Sequence, residues 1–252
     1  MRLTIRITGL LVAVGLAACT SAPVDQATAA KIKSVTITKL YLSEYTYFGR
    51  DGEAAAKSLG TAAVGYAFGV FGIAAAEAAR AKSEQPYRDA IKAAVSKEGV
   101  GFGDIVDARV GDLLKAKGIR ATFIAPPPRT SEGFDYGNID TNDNYVLELL
   151  PFAAGFTYGK EASTPSVDIR WRLLERYPGG RLIEIFRGSI YYSHYPLLGA
   201  KNSVQVPMDT AHRFPGHVTD LAKHGEAPSK AMRQIAENVA TAIVEKAFAG
   251  GK

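Results

Sequence analysis

Apolar residues along the chain recur at two different periods. Ser34 to Leu42 (SVTITKLYL) alternates and is rich in β-branched residues, the pattern of a strand with one buried face. Helical spacing follows near Pro86 to Glu98 and again near Asp104 to Lys117. In the second of these Ile105, Val106, Val110, Leu113 and Leu114 make one stripe, with Asp104 placed to cap and Gly118 placed to end it. Such a stripe packs on a sheet. Ile119 to Ile124 (IRATFI) returns to a strand pattern and stops at Pro126, Pro127 and Pro128. Tyr145 to Leu150 (YVLELL), a further strand around Phe156, Val167 to Leu174 (VDIRWRLL) and Arg181 to Tyr192 continue the β pattern. The last two flank Pro178-Gly179-Gly180 and so predict a strand pair across a turn. A final helix is expected over Ser229 to Phe248, capped by Ser229, with Met232, Ile235, Ala236, Val239, Ile243 and Phe248 facing inward. The fold class expected is α/β (α+β): a single mixed, largely antiparallel sheet covered by helices, with a glycine/alanine-rich helical segment.

That segment, Leu59 to Ala76, carries no charge across 18 residues and places Gly65, Gly69 and Gly72 at spacings of four and three. On a helix these glycines share a face on which two helices can approach closely, and the length is about 27 Å, near the thickness of a hydrocarbon layer. Self-association through Gly65, Gly69 and Gly72 would make the chain a pore or secretion subunit. Alanine and glycine are weakly hydrophobic, however, and glycine costs a helix about 1 kcal/mol each. An ordinary helix or a glycine-rich loop is therefore the stronger expectation.

The N-terminus shows where such a domain would work. Arg2 and Arg6 precede an uncharged run from Ile7 to Ala18, which closes on Leu16-Ala17-Ala18-Cys19. This resembles the signal of bacterial lipoproteins, in which a lipobox directs cleavage before the cysteine and acylation of its thiol and amine. The resemblance implies a signal peptide over residues 1–18, a lipidated Cys19 opening a flexible tether over 19–30, and a periplasmic domain over 31–252. Burial of each acyl CH₂ contributes about 0.8 kcal/mol, so several chains on Cys19 anchor the protein to the membrane without any spanning helix. Thr20 is not the aspartate that retains such proteins in the inner membrane, so the outer membrane, periplasmic face, is the expected location.

Composition narrows the remaining choices. Cys19 is the only cysteine, so a lipidated chain forms no internal disulfide. The formal charge of +5 falls to +3 once Arg2 and Arg6 are removed, too little and too dispersed for nucleic acid, although a weak attraction to anionic lipid is compatible with it. No GxSxG, HExxH or GxxxxGK[ST] motif occurs and no free cysteine nucleophile remains, so a non-enzyme without a cofactor is expected.

Four weaker features bear on chemistry. Arg170 and Arg172 lie on the polar side of an alternating strand and form the candidate face for an anionic ligand, with a solvated strand face the stronger expectation. His194, His212, His217 and His224 fall within 31 residues near Asp209 and Asp220, the residue types of a zinc site and the basis of an alternative reading as a metal-dependent hydrolase. Their spacings match no helical pair, so no metal is expected. Tyr191, Tyr192, Tyr195 and Phe214 suggest a carbohydrate platform or, more often, a packed strand end. Asp140, Asn142, Asp143 and Asn144 alternate as in a calcium loop, but Tyr145 stands where glycine is required and Pro151 where glutamate is, which leaves a solvated turn.

The IRATFI strand after a glycine-ended helix, then DNYVLELL, then a strand pair across PGG, resemble the α/β domains of periplasmic envelope lipoproteins: the curli secretion channel lipoprotein, lipoprotein activators of cell-wall synthases and the N-terminal domain of the TolB protein. The likeness spans about two thirds of the chain after Cys19 and departs from the pattern in the loop before Tyr145 and from Leu198 to Pro228. It implies a non-catalytic component that docks on another envelope protein or assembles with itself.

Overall fold

The computed structural model describes residues 26–40, 47–51, 89–93, 101–127, 129–130, 133–134, 139, 141–158, 161–193 and 203–248. Cys19, the segment 59–76 with Gly65, Gly69 and Gly72, His194 and Tyr195 lie outside the described residues.

The chain enters through helix α1 (Gln26–Lys31), continues into β1 (Ser34–Thr38) and contributes a short strand β2 (Tyr47–Asp51). Residues 89–93 are helical, with Ile91 in the core. Helix α2 (Phe102–Ala116) leads to β3 (Arg120–Ile124), and two short strands, β4 (Arg129–Thr130) and β5 (Gly133–Phe134), pair with each other. The long strands follow: β6 (Tyr145–Tyr158), β7 (Ala162–Arg176) and β8 (Leu182–Tyr192). The segment that departs from the expected pattern supplies β9 (Ser203–Gln205), β10 (Phe214–Pro215) and two 3₁₀ turns, Thr210–His212 and Val218–His224, before helix α3 (Ala227–Ala247).

Eight of these strands form one mixed sheet in the order β3-β1-β6-β7-β8-β9, with β2 on β6 and β10 on β7. The long ladders, β6–β7 and β7–β8, are antiparallel, while β1 is parallel to both β3 and β6. Helices α2 and α3 pack on each other and on the sheet, α2 against β3 and α3 against β7 and β8. This is the α/β class that the sequence pattern predicts.

Each boundary that differs from expectation has a local cause. The tether expected over 19–30 is helical from Gln26, because QATAAK is a good helix former and Ala29 finds a buried position. The two strands expected around Tyr145–Leu150 and Phe156 are one strand of 14 residues. Pro151 lacks an N–H, and the register with β7 shifts there by one residue. On its other side β6 pairs with β1 before this point and with β2 after it. Strand β7 begins five residues earlier than its apolar alternation suggests, and Pro165 sits in the interval where neither β10 nor β8 pairs with it.

The caps also move. Asp104 lies in the first turn of α2 with Gly101 at the cap, where its charge meets the positive helix end. Ser229 is buried inside α3, which starts two residues earlier with Pro228 in its first turn. The turn at Pro178-Gly179-Gly180 forms as expected: Gly179 and Gly180 adopt φ of +93° and +83°, and the Tyr177 N–H donates to the Arg181 carbonyl at 2.9 Å.

Candidate functional site

Alternation in β7 sends Val167, Ile169, Trp171 and Leu173 into the core beneath the helices, together with Val35, Ile37, Leu147 and Leu149. Thr36, Thr38, Glu148, Arg170 and Arg172 occupy the opposite face through the pairings of β1, β6 and β7. This polar face is not simply solvated. Thr36, Thr38 and Glu148 are at most 1% exposed.

The sheet register explains how a carboxylate survives there. Glu148 stands opposite Arg172, and Arg172 stands opposite Arg187 on β8. The Arg172 Nε donates to the Glu148 carboxylate, its Nη1 lies 3.8 Å from Glu184, and the Arg187 Nη2 donates to the same Glu184 at 2.9 Å. The hydrogen bond to Glu148, together with the nearby carboxylate charges, holds the Arg172 guanidinium above its usual range despite partial burial. Of the two arginines expected to form a ligand face, Arg170 is exposed and Arg172 is engaged by carboxylates of its own sheet. Glu148 is the residue that sequence reasoning passed over. Its signal was a lone acid inside VLELL, a position that demands a cationic partner.

Four residues from Arg172 along the same face of β7, Asp168 has its carboxyl pushed up by burial, with Arg170 opposing the shift. One of its oxygens, Oδ1, is buried with no hydrogen-bond partner among the described residues.

Of the expected solvated turn Asp140–Asn144, Asp140 lies outside the described residues, Asn142 and Asn144 are exposed, and Asp143 is instead drawn inward. Asp143 is 4% exposed and accepts hydrogen bonds from the Thr36 hydroxyl at 2.8 Å and Arg120 Nη2 at 3.2 Å. Burial works against its ionisation, but bonds from Ser34, Thr36 and Arg120 outweigh this and hold the carboxyl below the usual range. Thr141 completes the clasp with hydroxyl contact to Thr36 and acceptance of the Asp143 N–H at 3.1 Å. The aspartate closes the chain over β1.

The described histidines do three separate things. His212 is buried, and its Nδ1 shares a hydrogen bond of 2.8 Å with the Tyr192 hydroxyl, which also accepts the Asp209 N–H at 3.2 Å. His217 caps the 3₁₀ turn Val218–His224 by accepting the Thr219 N–H. The His224 Nε2 donates to the Pro215 carbonyl at 2.9 Å, and its ring lies 5.6 Å from that of Phe214. Closeness in sequence does not bring them together, because turns separate them. Among the described residues no three His, Cys, Asp or Glu side chains converge. Tyr192 and Phe214, considered for a carbohydrate platform, are core residues at 1% and 5% exposure, while Tyr191 is half-buried.

Where β1 ends, the first turn of α2 grips the departing chain. A Cβ on Gly103 would lie 2.2 Å from the Leu40 carbonyl oxygen, so only glycine permits this approach. One turn later the Asp107 carboxylate accepts the Leu40 N–H at 3.1 and 3.2 Å. Burial pushes the Asp107 carboxyl up to about 6, against the lowering effect of that N–H. Among the described residues no helix is long and apolar enough to cross a membrane. Comparison with known protein families, with curated proteins and with solved structures finds no match to this chain.

Proposed function

We propose that this chain is an outer-membrane lipoprotein, acylated at Cys19, whose α/β domain serves on the periplasmic face as a non-catalytic binding and assembly accessory of a cell-envelope system. The observation that carries the proposal is the join between signal and fold. The lipobox Leu16-Ala17-Ala18-Cys19 is followed by only residues 20–25 before α1 begins, and Ala29 and Ile32 are already buried in the domain. An anchor so close to a folded body restricts the domain to the membrane surface. Tethering raises its effective concentration near a membrane-bound partner without any additional contact.

The polar pairs of the described residues serve the fold that the anchor would carry. Glu148 with Arg172, Asp143 with Thr36 and Arg120, and Tyr192 with His212 each join one segment of the fold to another. The partner in this proposal is an envelope protein or a second copy of the chain, and the only attached group is the lipid on Cys19. No nucleic acid takes part.

The test uses the full chain expressed in a Gram-negative host fed an alkyne fatty acid. Label on the wild type, its loss in Cys19→Ser, and recovery in the outer-membrane fraction are the expected results. Crosslinking in cells, followed by mass determination in mild detergent, should then give a stoichiometric complex with an envelope protein or a homo-oligomer. Absence of label would defeat the anchoring proposal, and a monomer without a crosslinked partner would defeat the accessory role.

A further inference from the structure

Among the described residues, exposed cations outnumber exposed carboxylates at one end of the sheet. Strands β1, β3 and β6 all begin there, in a row tied together by the Arg120 N–H donating to the Lys33 carbonyl at 2.9 Å and the Arg176 N–H donating to the Asn144 carbonyl at 2.7 Å. Three chain segments deliver exposed cations to this row. The α1–β1 junction brings Lys31 and Lys33. The last turn of α2 brings Lys115 and Lys117, folded back toward β3 by the Ile119 N–H donating to the Leu114 carbonyl at 2.9 Å. The turn between β7 and β8 brings Arg181.

Carboxylates in the same row do not cancel these charges. Glu175 is half-buried and accepts the Tyr145 hydroxyl at 3.0 Å, and Asp143 is buried against Arg120. The opposite end of the domain includes two ion pairs between its charged side chains, Arg213 with Glu161 at 3.6 Å and Lys223 with Asp220 at 2.7 Å.

The cationic end also holds both large hydrophobic side chains that are exposed among the described residues. Tyr177, at 46% exposure, opens the β7–β8 turn, and Ile183, at 36%, lies at the start of β8. An aromatic ring and an aliphatic side chain surrounded by lysine and arginine match the headgroup layer of an anionic bilayer, where amphipathic rings settle and basic residues are held by lipid phosphates.

From this geometry, we infer that the end of the sheet formed by the starts of β1, β3 and β6 and by the Tyr177–Arg181 turn is a docking face for the anionic membrane surface. The inference rests on the proposed anchoring at Cys19. The route of the chain supplies the second argument: helix α1, which follows residues 20–25, passes into β1 at Lys31–Ser34, within this same end. Residues 20–25 span about 20 Å when extended, so the lipid holds this end near the headgroups and the cations orient it. The opposite end, with α3's start, β10 and the His217–His224 turn, then faces the periplasm for a partner.

The test places single tryptophans in the full, lipidated protein reconstituted in vesicles of phosphatidylethanolamine with phosphatidylglycerol. Tyr177→Trp reports the docking end, and Lys223→Trp reports the opposite end. Signal from Trp171, which is buried, is subtracted with the wild-type protein. Expected are a blue-shifted emission and quenching by brominated lipid for Tyr177→Trp alone. Adding Lys115→Glu, Lys117→Glu and Arg181→Glu, or moving to purely zwitterionic vesicles, should reduce that quenching at least about twofold while the protein still floats with the vesicles. Flotation with no quenching of Tyr177→Trp, or equal quenching at Lys223→Trp, would overturn the docking face and leave the anchor standing. Failure to float, together with absence of fatty-acid label, would overturn both.

Discussion

The indole of Trp171 lies directly across the backbone of Gly188. The two residues are cross-strand partners on the core face of β7 and β8, and a Cβ on residue 188 would stand 2.7 Å from the ring. Trp171 is 1% exposed, packs 4.9 Å from the Phe186 ring, and has no hydrogen-bond partner for its Nε1 among the described residues. Glycine here is a packing requirement, set by the size of its neighbour.

Gly188→Ala should therefore destabilise the domain by about 1–3 kcal/mol, the range for overfilling a packed core. A lowered urea midpoint at unchanged slope would show it. The cost should shrink in the background of Trp171→Phe, where the smaller ring vacates the space, so the two substitutions should be non-additive. Equal stability of Gly188→Ala and wild type would mean that the strands separate there.

The Glu148–Arg172 pair gives a second expectation. Arg172→Met keeps the length of the side chain but leaves a carboxylate at 0% exposure without its cation. Breaking one side of a buried pair costs about 3–5 kcal/mol, whereas replacing both members is far milder. Arg172→Met combined with Glu148→Gln should recover much of the loss in a denaturant double-mutant cycle. A loss below 1 kcal/mol for the single variant would show that Glu148 takes up a proton or finds another donor at little cost.

These two relationships mark the limit of what a linear pattern conveys. Period-two alternation in VDIRWRLL assigns the faces of β7 correctly, and the apolar stripes of α2 and α3 name residues that are in the core. Val106, Val110 and Leu114 line α2, and Met232, Ile235, Val239 and Ile243 line α3. Prolines were harder to read. Pro151 and Pro165 look like strand breakers, yet the sheet absorbs the first with a register shift and the second in a gap between two partners. Cross-strand register was not legible, so Glu148 and Arg172, 24 residues apart, gave no sign of being partners. The described histidines stand close in sequence, but the turns between them give His212, His217 and His224 three separate sets of contacts. Asp107 lies off the apolar stripe of α2 with nothing to single it out, because its partner is a backbone N–H that carries no mark in the sequence.

Asp107 provides the pH prediction. Its folded-state pKa of about 6 lies above the ordinary value of 3.8, chiefly through burial, with Asp104 adding to the rise and the Leu40 N–H and Lys39 opposing it. A carboxyl raised on folding favours the folded state in its protonated form. Its contribution is fully present below about 3.8 and is lost as pH rises through 6. Asp107→Asn keeps an oxygen to accept the Leu40 N–H and removes the ionisation, so the variant should gain stability over the wild type as pH is raised from 4 to 7. Denaturation midpoints of the two proteins across that interval measure the difference directly. Parallel curves would show that Asp107 ionises without penalty. If those parallel curves also place the variant below the wild type at every pH, both carboxylate oxygens are needed to hold Leu40, whose N–H they meet at 3.1 and 3.2 Å.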